Sequence, residues 1–386
     1  MVHLSSVVAI GLTALTGIVS AHPGHDVRAE AAERAEFLKS APIHSRSLAQ
    51  CSSRLQRRGQ QDRNVVRRHL AVKNLRRRLG LQPTSHLHKA RSDSALDTSH
   101  HSNLTGVDPS TDPDVLFGTD ATCILAPDVT QGPYYVTGEL IRDNMSESQG
   151  GIPLYMDIQL IDTNTCDPIP EIYMDLWHCN STGVYSGVVA SGNGNSDDTT
   201  NLNNTFLRGI QKSNREGVVQ MQTTFPGHYT GRATHIHVLT HPANETQILA
   251  NGTLSGLYSA HSSHVGQIFF DQDLITAADE VYPYSANTQE VTLNSDDSIL
   301  SEELDTIDPF MEYVYLGDDI SDGIFAWISV GMDPTVDSSV SPAAYYTEQG
   351  GVENENAGAG MGGGGGGSPP GGSSSGAAPS ASATAF

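Results

Sequence analysis

Between Leu154 and Ile161, the residues Leu154, Met156, Ile158 and Leu160 alternate with Tyr155, Asp157, Gln159 and Ile161. A repeat of two is the period at which an extended chain sends side chains to opposite faces, so this segment predicts a half-buried β-strand. The same signature recurs downstream. Cys166-Asp167-Pro168 punctuates the chain, Glu171 to His178 reads as the next strand, and Val218 to Phe225 alternates with Val219, Met221 and Phe225 on one face. Thr234 to Thr240 and Gly266 to Phe270 are short β-branched or aromatic runs, and Gly132-Pro133, Gly150-Gly151 and Pro226-Gly227 supply turns. A short helix is expected over Asp273 to Val281. The class that follows is mainly β, a sandwich or partly closed barrel.

The flanks differ in kind from this region. Residues 1–21 hold an apolar run, Val7 to Ile18, ending in Ser20-Ala21, too short for a membrane span and read as a secretory signal peptide. Of the 21 Lys and Arg, 16 lie between Arg28 and Arg91, whereas 39 of the 44 acidic residues follow Arg91. The formal net charge of −23 therefore conceals a basic segment joined to an acidic body. Residues 22–91, with Arg57-Arg58, Arg67-Arg68 and Arg76-Arg77-Arg78, are read as a basic propeptide carrying processing sites, with a retained interaction arm as the alternative. Residues 92–117 read as a polar linker, 118–348 as one folded unit, and 349–386 as a disordered Gly/Ser-rich tail. The acidic body argues against nucleic acid as a partner, and no later segment is apolar enough for a membrane. Export fits the six Asn-X-Ser/Thr tripeptides at Asn103, Asn144, Asn180, Asn203, Asn244 and Asn251. It also permits disulfides among Cys51, Cys123, Cys166 and Cys179, for which Cys123 with Cys166 is the preferred pair, although spacing does not settle connectivity.

The densest chemical signal is Phe225-Pro226-Gly227-His228-Tyr229-Thr230-Gly231-Arg232-Ala233-Thr234-His235-Ile236-His237-Val238. Two apart on a strand, His235 and His237 project to one face, a pairing that suits a transition metal. A bare His-X-His is equally an ordinary pair of strand histidines. Tyr229 lies six residues earlier on the turn feeding the strand, and Tyr185 follows another strand in Trp177-His178-Cys179-Asn180-Ser181-Thr182-Gly183-Val184-Tyr185. Each tyrosine alone could be a core or turn residue. Together, two phenolates and two imidazoles form a hard, anionic donor set that favours ferric iron, whereas a zinc hydrolase needs three His or carboxylate ligands and a base. Arg232, in a body with five basic residues after Arg91, is placed to answer negative charge in the site. Trp177 reads as core, His178, His228 and His241 as structural or solvent-facing, and Cys179 as a small buried residue.

Gly-Val-Tyr after Trp177, Pro-Gly-His-Tyr at 226–229, Arg232-X-X-His235-X-His237, and Cys123-Ile-Leu-Ala-Pro-Asp-Val-Thr-Gln-Gly-Pro-Tyr-Tyr135 resemble the intradiol ring-cleavage dioxygenases, in their secreted fungal-type branch. The resemblance runs from about Cys123 to Phe270. It implies a β-sandwich core holding non-haem Fe(III), with Tyr185 and His237 as equatorial and Tyr229 and His235 as axial ligands. It implies that Arg232 and Gln267 lie beside the substrate, with Tyr134 at the pocket wall, and that Tyr229 leaves the metal to accept a substrate proton. The implied reaction cleaves a catechol-type ring between its two hydroxyl-bearing carbons with O2, giving a muconate-type diacid. A buried strand glutamine bonded to backbone is the other reading of Gln267. The helical segment that opens the bacterial catechol-cleaving members is not evident, and the basic segment and Gly-rich tail fall outside the likeness. A secreted binding module of the same fold without catalysis is the alternative from another class.

Overall fold

The period-two segments are strands in the structure. The computed structural model describes residues 48–82 and 134–354, with short interruptions at 191–192, 196, 243–245, 247, 255–260, 263, 305–306, 337 and 341, together with residues 96, 117 and 122–124. The expected signal peptide, most of the expected linker, and the tail beyond 354 lie outside the described residues.

The strands are β1 (Thr122–Ile124), β2 (Val136–Thr137), β3 (Pro153–Asp162), β4 (Tyr173–Trp177), β5 (Arg208–Lys212), β6 (Val218–Thr224) and β7 (His235–His241). They continue as β8 (His261–Ser262), β9 (His264–Phe269), β10 (Glu312–Tyr315), β11 (Ile324–Met332), β12 (Ser338–Ser339), β13 (Ala344–Thr347) and β14 (Gly350–Glu353). The helices are α1 (Ser52–Arg57), α2 (Gln60–Leu79), α3 (Gln272–Asp279) and α4 (Ser298–Leu304). One large sheet runs β1-β11-β3-β6 with β10 on β11, and a second runs β5-β4-β7-β9. They face each other across one core. Leu154, Met156, Ile158 and Leu160 of β3 and Ala326, Ile328 and Val330 of β11 meet Met174 and Leu176 of β4, Ile236 and Val238 of β7, and Ile268 of β9. The result is a sandwich with small two- and three-stranded sheets at its margin, and none of the described sheets closes into a barrel.

Three sequence expectations change. First, β3 is buried on both faces rather than half-buried. Its outer face is covered by α2, whose Val65, Val72 and Leu75 pack with Phe117, Tyr155, Val314, Leu316, Phe325 and Trp327. Asp157, on that face, is fully buried and accepts from Arg67 Nε at 2.9 Å and Nη2 at 2.7 Å, from Arg68 Nε at 3.4 Å and from Gln220 at 2.9 Å. Arg68 is itself buried, over the Trp327 ring. A carboxylate so placed is tolerable only because its partners are present. Second, the preferred Cys123–Cys166 pair is not formed. Cys166 bonds to Cys51, with Cα atoms 5.3 Å apart, so the basic segment read as a propeptide is stitched to the β3–β4 turn. Third, β14 pairs with β13, which carries ordered structure to Glu353, past the expected start of the tail at 349. Among the described residues, no helix is long and apolar enough to cross a membrane.

Candidate metal centre

The inner face of the β5-β4-β7-β9 sheet is apolar, so alternation puts the intervening residues of those strands on the outer face. Register then lines up neighbours across it. Arg208 of β5 pairs with Trp177 of β4, Trp177 with His237 of β7, and His237 with Gln267 of β9. His235, two residues from His237, opposes Phe269. Loops fold over this face and bury it: Tyr134 and Tyr135 before β2, Tyr185 after β4, and Tyr229 before β7 all join one cluster with Trp177.

Within that cover the four sequence-predicted donors come together. Nε2 of His235 lies 3.1 Å from Nε2 of His237 and 3.3 Å from the Tyr229 hydroxyl. The Tyr185 ring stands edge-on to both Tyr229 and His237, at centroid distances of 5.6 and 5.9 Å. Nδ1 of His235 sits 2.6 Å from the Ala233 carbonyl, which can only accept, so Nδ1 carries the proton and Nε2 presents its lone pair to the centre. Trp177 lies flat against His237, with ring planes 1° apart and centroids 4.8 Å apart, and so fixes the plane of that imidazole. The reading of Trp177 as core understated it.

The surroundings of the two phenols oppose their ionisation. Burial raises the Tyr185 hydroxyl well above the usual phenol value, and the neighbouring Tyr229 adds to the rise. Tyr229 is likewise raised by burial, with the Arg232 charge opposing the shift. The Tyr185 hydroxyl is buried without a hydrogen bond of ordinary geometry, although it lies close enough to Tyr229 for each to perturb the other. Two phenols and two imidazoles crowded on one point, with an oxygen left over, suit a hard trivalent cation, which would supply the charge that ionised phenolates need here. Among the described residues no group of three or more His, Cys, Asp or Glu forms a rival site.

Arg232 is fully buried beside the donors. Its Nε donates to Asp297 at 2.8 Å, and Nη2 donates to the Gln267 side-chain oxygen. Asp297 is the residue sequence reasoning missed. Its Oδ2 also accepts from the Ala233 amide at 2.8 Å, and its Oδ1 caps α4 through Ile299 and Leu300 at 2.9 and 3.0 Å. Nothing in Asn294-Ser295-Asp296-Asp297-Ser298 distinguishes Asp297 from its neighbours. Tyr134 stacks on Tyr185 at 4.6 Å, with its hydroxyl buried and unpaired. Two of the histidines set aside in the sequence, His178 and His228, are structural: His178 bridges the Cys179 carbonyl and Thr223, and burial pushes it down to about 4. His228 ties the Tyr229 turn to Asp279 and the Gln289 carbonyl. The Cys179 thiol, pushed up to about 12 by burial, donates to the Gly227 carbonyl and is not poised for thiolate chemistry.

Among solved structures, the chain is similar to the intradiol ring-cleavage dioxygenase from Tetranychus urticae, at 29% identity over 56% of this chain and 98% of that one, with a TM-score of 0.44. A second solved dioxygenase shares 30% identity over 56% of this chain and 97% of its own, with a TM-score of 0.43. The dioxygenase domain of a dioxygenase carbohydrate-binding protein fusion from Streptomyces sp. SirexAA-E shares 21% over 54% and 97%, with a TM-score of 0.34. No family model matches the chain, and no curated protein does.

Proposed function

We propose that the chain is an intradiol ring-cleavage dioxygenase, a secreted, ferric, non-haem enzyme that cleaves catechol-type rings with O2 to muconate-type diacids, a reading supported by the motifs around Tyr185, Tyr229, Arg232, His235 and His237. The observation that carries this reading is the approach of the His235 and His237 Nε2 atoms and the Tyr229 hydroxyl to within 3.1–3.3 Å, with Tyr185 closing the set. Tyr185, Tyr229, His235 and His237 are the proposed ligands. Ferric iron, when bound, draws electron density from a catecholate and so makes a ring carbon reactive toward O2.

The chain's own residues divide the remaining work. Tyr229 sits on a tight turn, bridged to Arg232, with Gly231 at φ +92°, and its oxygen, as the phenolate it would be with iron bound, is the site that would accept a proton from the incoming catechol. Arg232, held by Asp297 and Gln267, presents a fixed positive charge to the negative charge that develops on the substrate. Such preorganised groups need little rearrangement as the reaction proceeds, and losing one typically costs about 10²–10³ in rate. Tyr134, Trp177 and Tyr185 wall the site with aromatic surface and limit water.

The test is oxygen uptake against a panel of catechols, with metal analysis and a visible spectrum of the same sample. One iron per chain, a reddish-brown phenolate-to-iron absorption and uptake of one O2 per catechol are expected. A colourless, iron-free protein with full activity would overturn the reading.

A further inference from the structure

The backbone that carries Tyr185 is held by more polar contacts than its ring. Its amide donates to Asn193 Oδ1 at 2.8 Å, and its carbonyl accepts from Nδ2 of Asn193 and of Asn201, each at 2.8 Å. At the next residue, Arg208 donates to the Ser186 carbonyl from Nη2 at 2.7 Å and from Nε at 3.0 Å, and Nε also reaches the Ser186 hydroxyl at 3.1 Å. That hydroxyl is fixed in turn by donating to the Phe206 carbonyl at 2.6 Å. Arg208, Asn193 and Asn201 are all buried, and the Glu139 carboxylate stands 3.6 Å from the Arg208 guanidinium.

Arg208 is more than a loop fastener because of where it stands. It is the β5 member of the cross-strand row Arg208–Trp177–His237–Gln267. Trp177 sets the plane of His237, and Gln267 receives Arg232. One row of the sheet therefore references the Tyr185 loop, one imidazole and the Arg232 guanidinium to a common frame. Charged guanidinium bonds to a carbonyl are strong and directional, and a fork of this kind cannot be reproduced by the single point of an ammonium group.

We propose that Arg208, acting with Asn193 and Asn201, is a positioning residue that fixes the Tyr185 hydroxyl against the His235–His237 pair. The inference rests on the reading of Tyr185 as an iron ligand. Displacement of a reacting group by about 1 Å can cost 10²-fold in rate, and the Tyr185 peptide has no other side-chain anchors among the described residues.

The experiment compares Arg208→Lys, Asn201→Ala and Tyr185→Phe as full-length, iron-loaded proteins, by thermal melting, iron stoichiometry, the visible charge-transfer band and steady-state kinetics. Arg208→Lys and Asn201→Ala are expected to keep iron but to shift and weaken the band, and to lower kcat by roughly 10–10²-fold with a smaller change in KM. Tyr185→Phe is expected to remove most of the band. If Tyr185→Phe keeps the wild-type band, the ligand reading itself fails. If it loses the band while Arg208→Lys keeps both band and kcat, only the positioning role fails. Should Arg208→Lys not fold, Asn201→Ala decides alone: an unshifted band with full kcat overturns the proposal, and a shifted band sustains it.

Discussion

Asp297 bears the most demanding single test, because its two oxygens satisfy four donors at once. Oδ2 takes Arg232 Nε and the Ala233 amide, both at 2.8 Å, and Oδ1 takes the Ile299 and Leu300 amides at 2.9 and 3.0 Å. In Asp297→Asn one of these oxygens becomes an NH2 group, so one pair of buried donors meets another donor whichever way the amide turns. The Arg232 charge, fully buried with Asp297, also loses its counter-charge. Removing one partner of a buried pair costs about 3–5 kcal/mol. For a folded unit of this size, each kcal/mol lowers Tm by roughly 2–4 °C, so a drop of roughly 6–20 °C is expected. A freed Arg232 no longer presents its charge in a fixed direction, and kcat/KM should fall by about 10². Thermal melting with oxygen uptake on catechol reads both. A variant that melts within about 2 °C of the wild type and turns over normally would refute the anchoring argument. Early melting with an undiminished kcat/KM would confine Asp297 to capping α4.

Two further outcomes follow from the outer faces of the fold. Burial opposes ionisation of Asp157, yet the Arg67 hydrogen bonds, the Arg67 and Arg68 charges and Gln220 outweigh it and hold the carboxyl below its ordinary value. A carboxyl lowered on folding stabilises fully above its unfolded value of about 3.9 and loses that contribution as pH falls through the folded value. Acid melts of the wild type between about pH 5 and about pH 2 should therefore fall more steeply than those of Asp157→Asn, and parallel slopes would dismiss the Asp157 account of how α2 is held. At Asn180, the side-chain oxygen accepts from the Thr182 amide, the Thr182 hydroxyl and the Val184 amide, and Nδ2 donates to Gln149. This sequon shapes the turn that leads to Tyr185, so peptide mapping should find Asn180 unmodified, and a glycan there would contradict the turn geometry.

What the sequence disclosed and what it hid have a common physical basis. His235 and His237 were legible because the pleat makes a two-residue spacing into a shared face, and Tyr229 because it enters the same strand. Arg232 stood out as one of few basic residues in an acidic body, whereas Tyr185 was joined to the histidines by donor chemistry and the family motifs, since nothing in strand periodicity links a loop tyrosine to a strand histidine. α2 was hidden by its charge: Val65, Val72 and Leu75 make a sparse stripe among arginines, and Arg68 finds its counter-ion Asp157 across 89 positions of chain. The Cys51–Cys166 link spans 115 residues, a separation on which spacing is silent. Asp157 and Gln159 looked solvent-facing because the helix that covers them lies far upstream.

Register joins stability to chemistry in this fold. Ile236 and Val238 enter the core between the sheets, and His235 and His237 occupy the alternate positions of the same strand. A slip of β7 by one residue would send both imidazoles against Met156, Ile328 and their neighbours and expel two aliphatic side chains from the core. The core thus penalises the one error that would also separate His237 from Trp177 and Gln267. No comparable penalty holds Tyr185, whose loop lies outside the sandwich and contributes to the covering cluster alone. The directional bonds from Arg208, Asn193 and Asn201 fix the backbone of that loop, while the rings of Tyr134, Tyr229 and His237 pack around the phenol it carries.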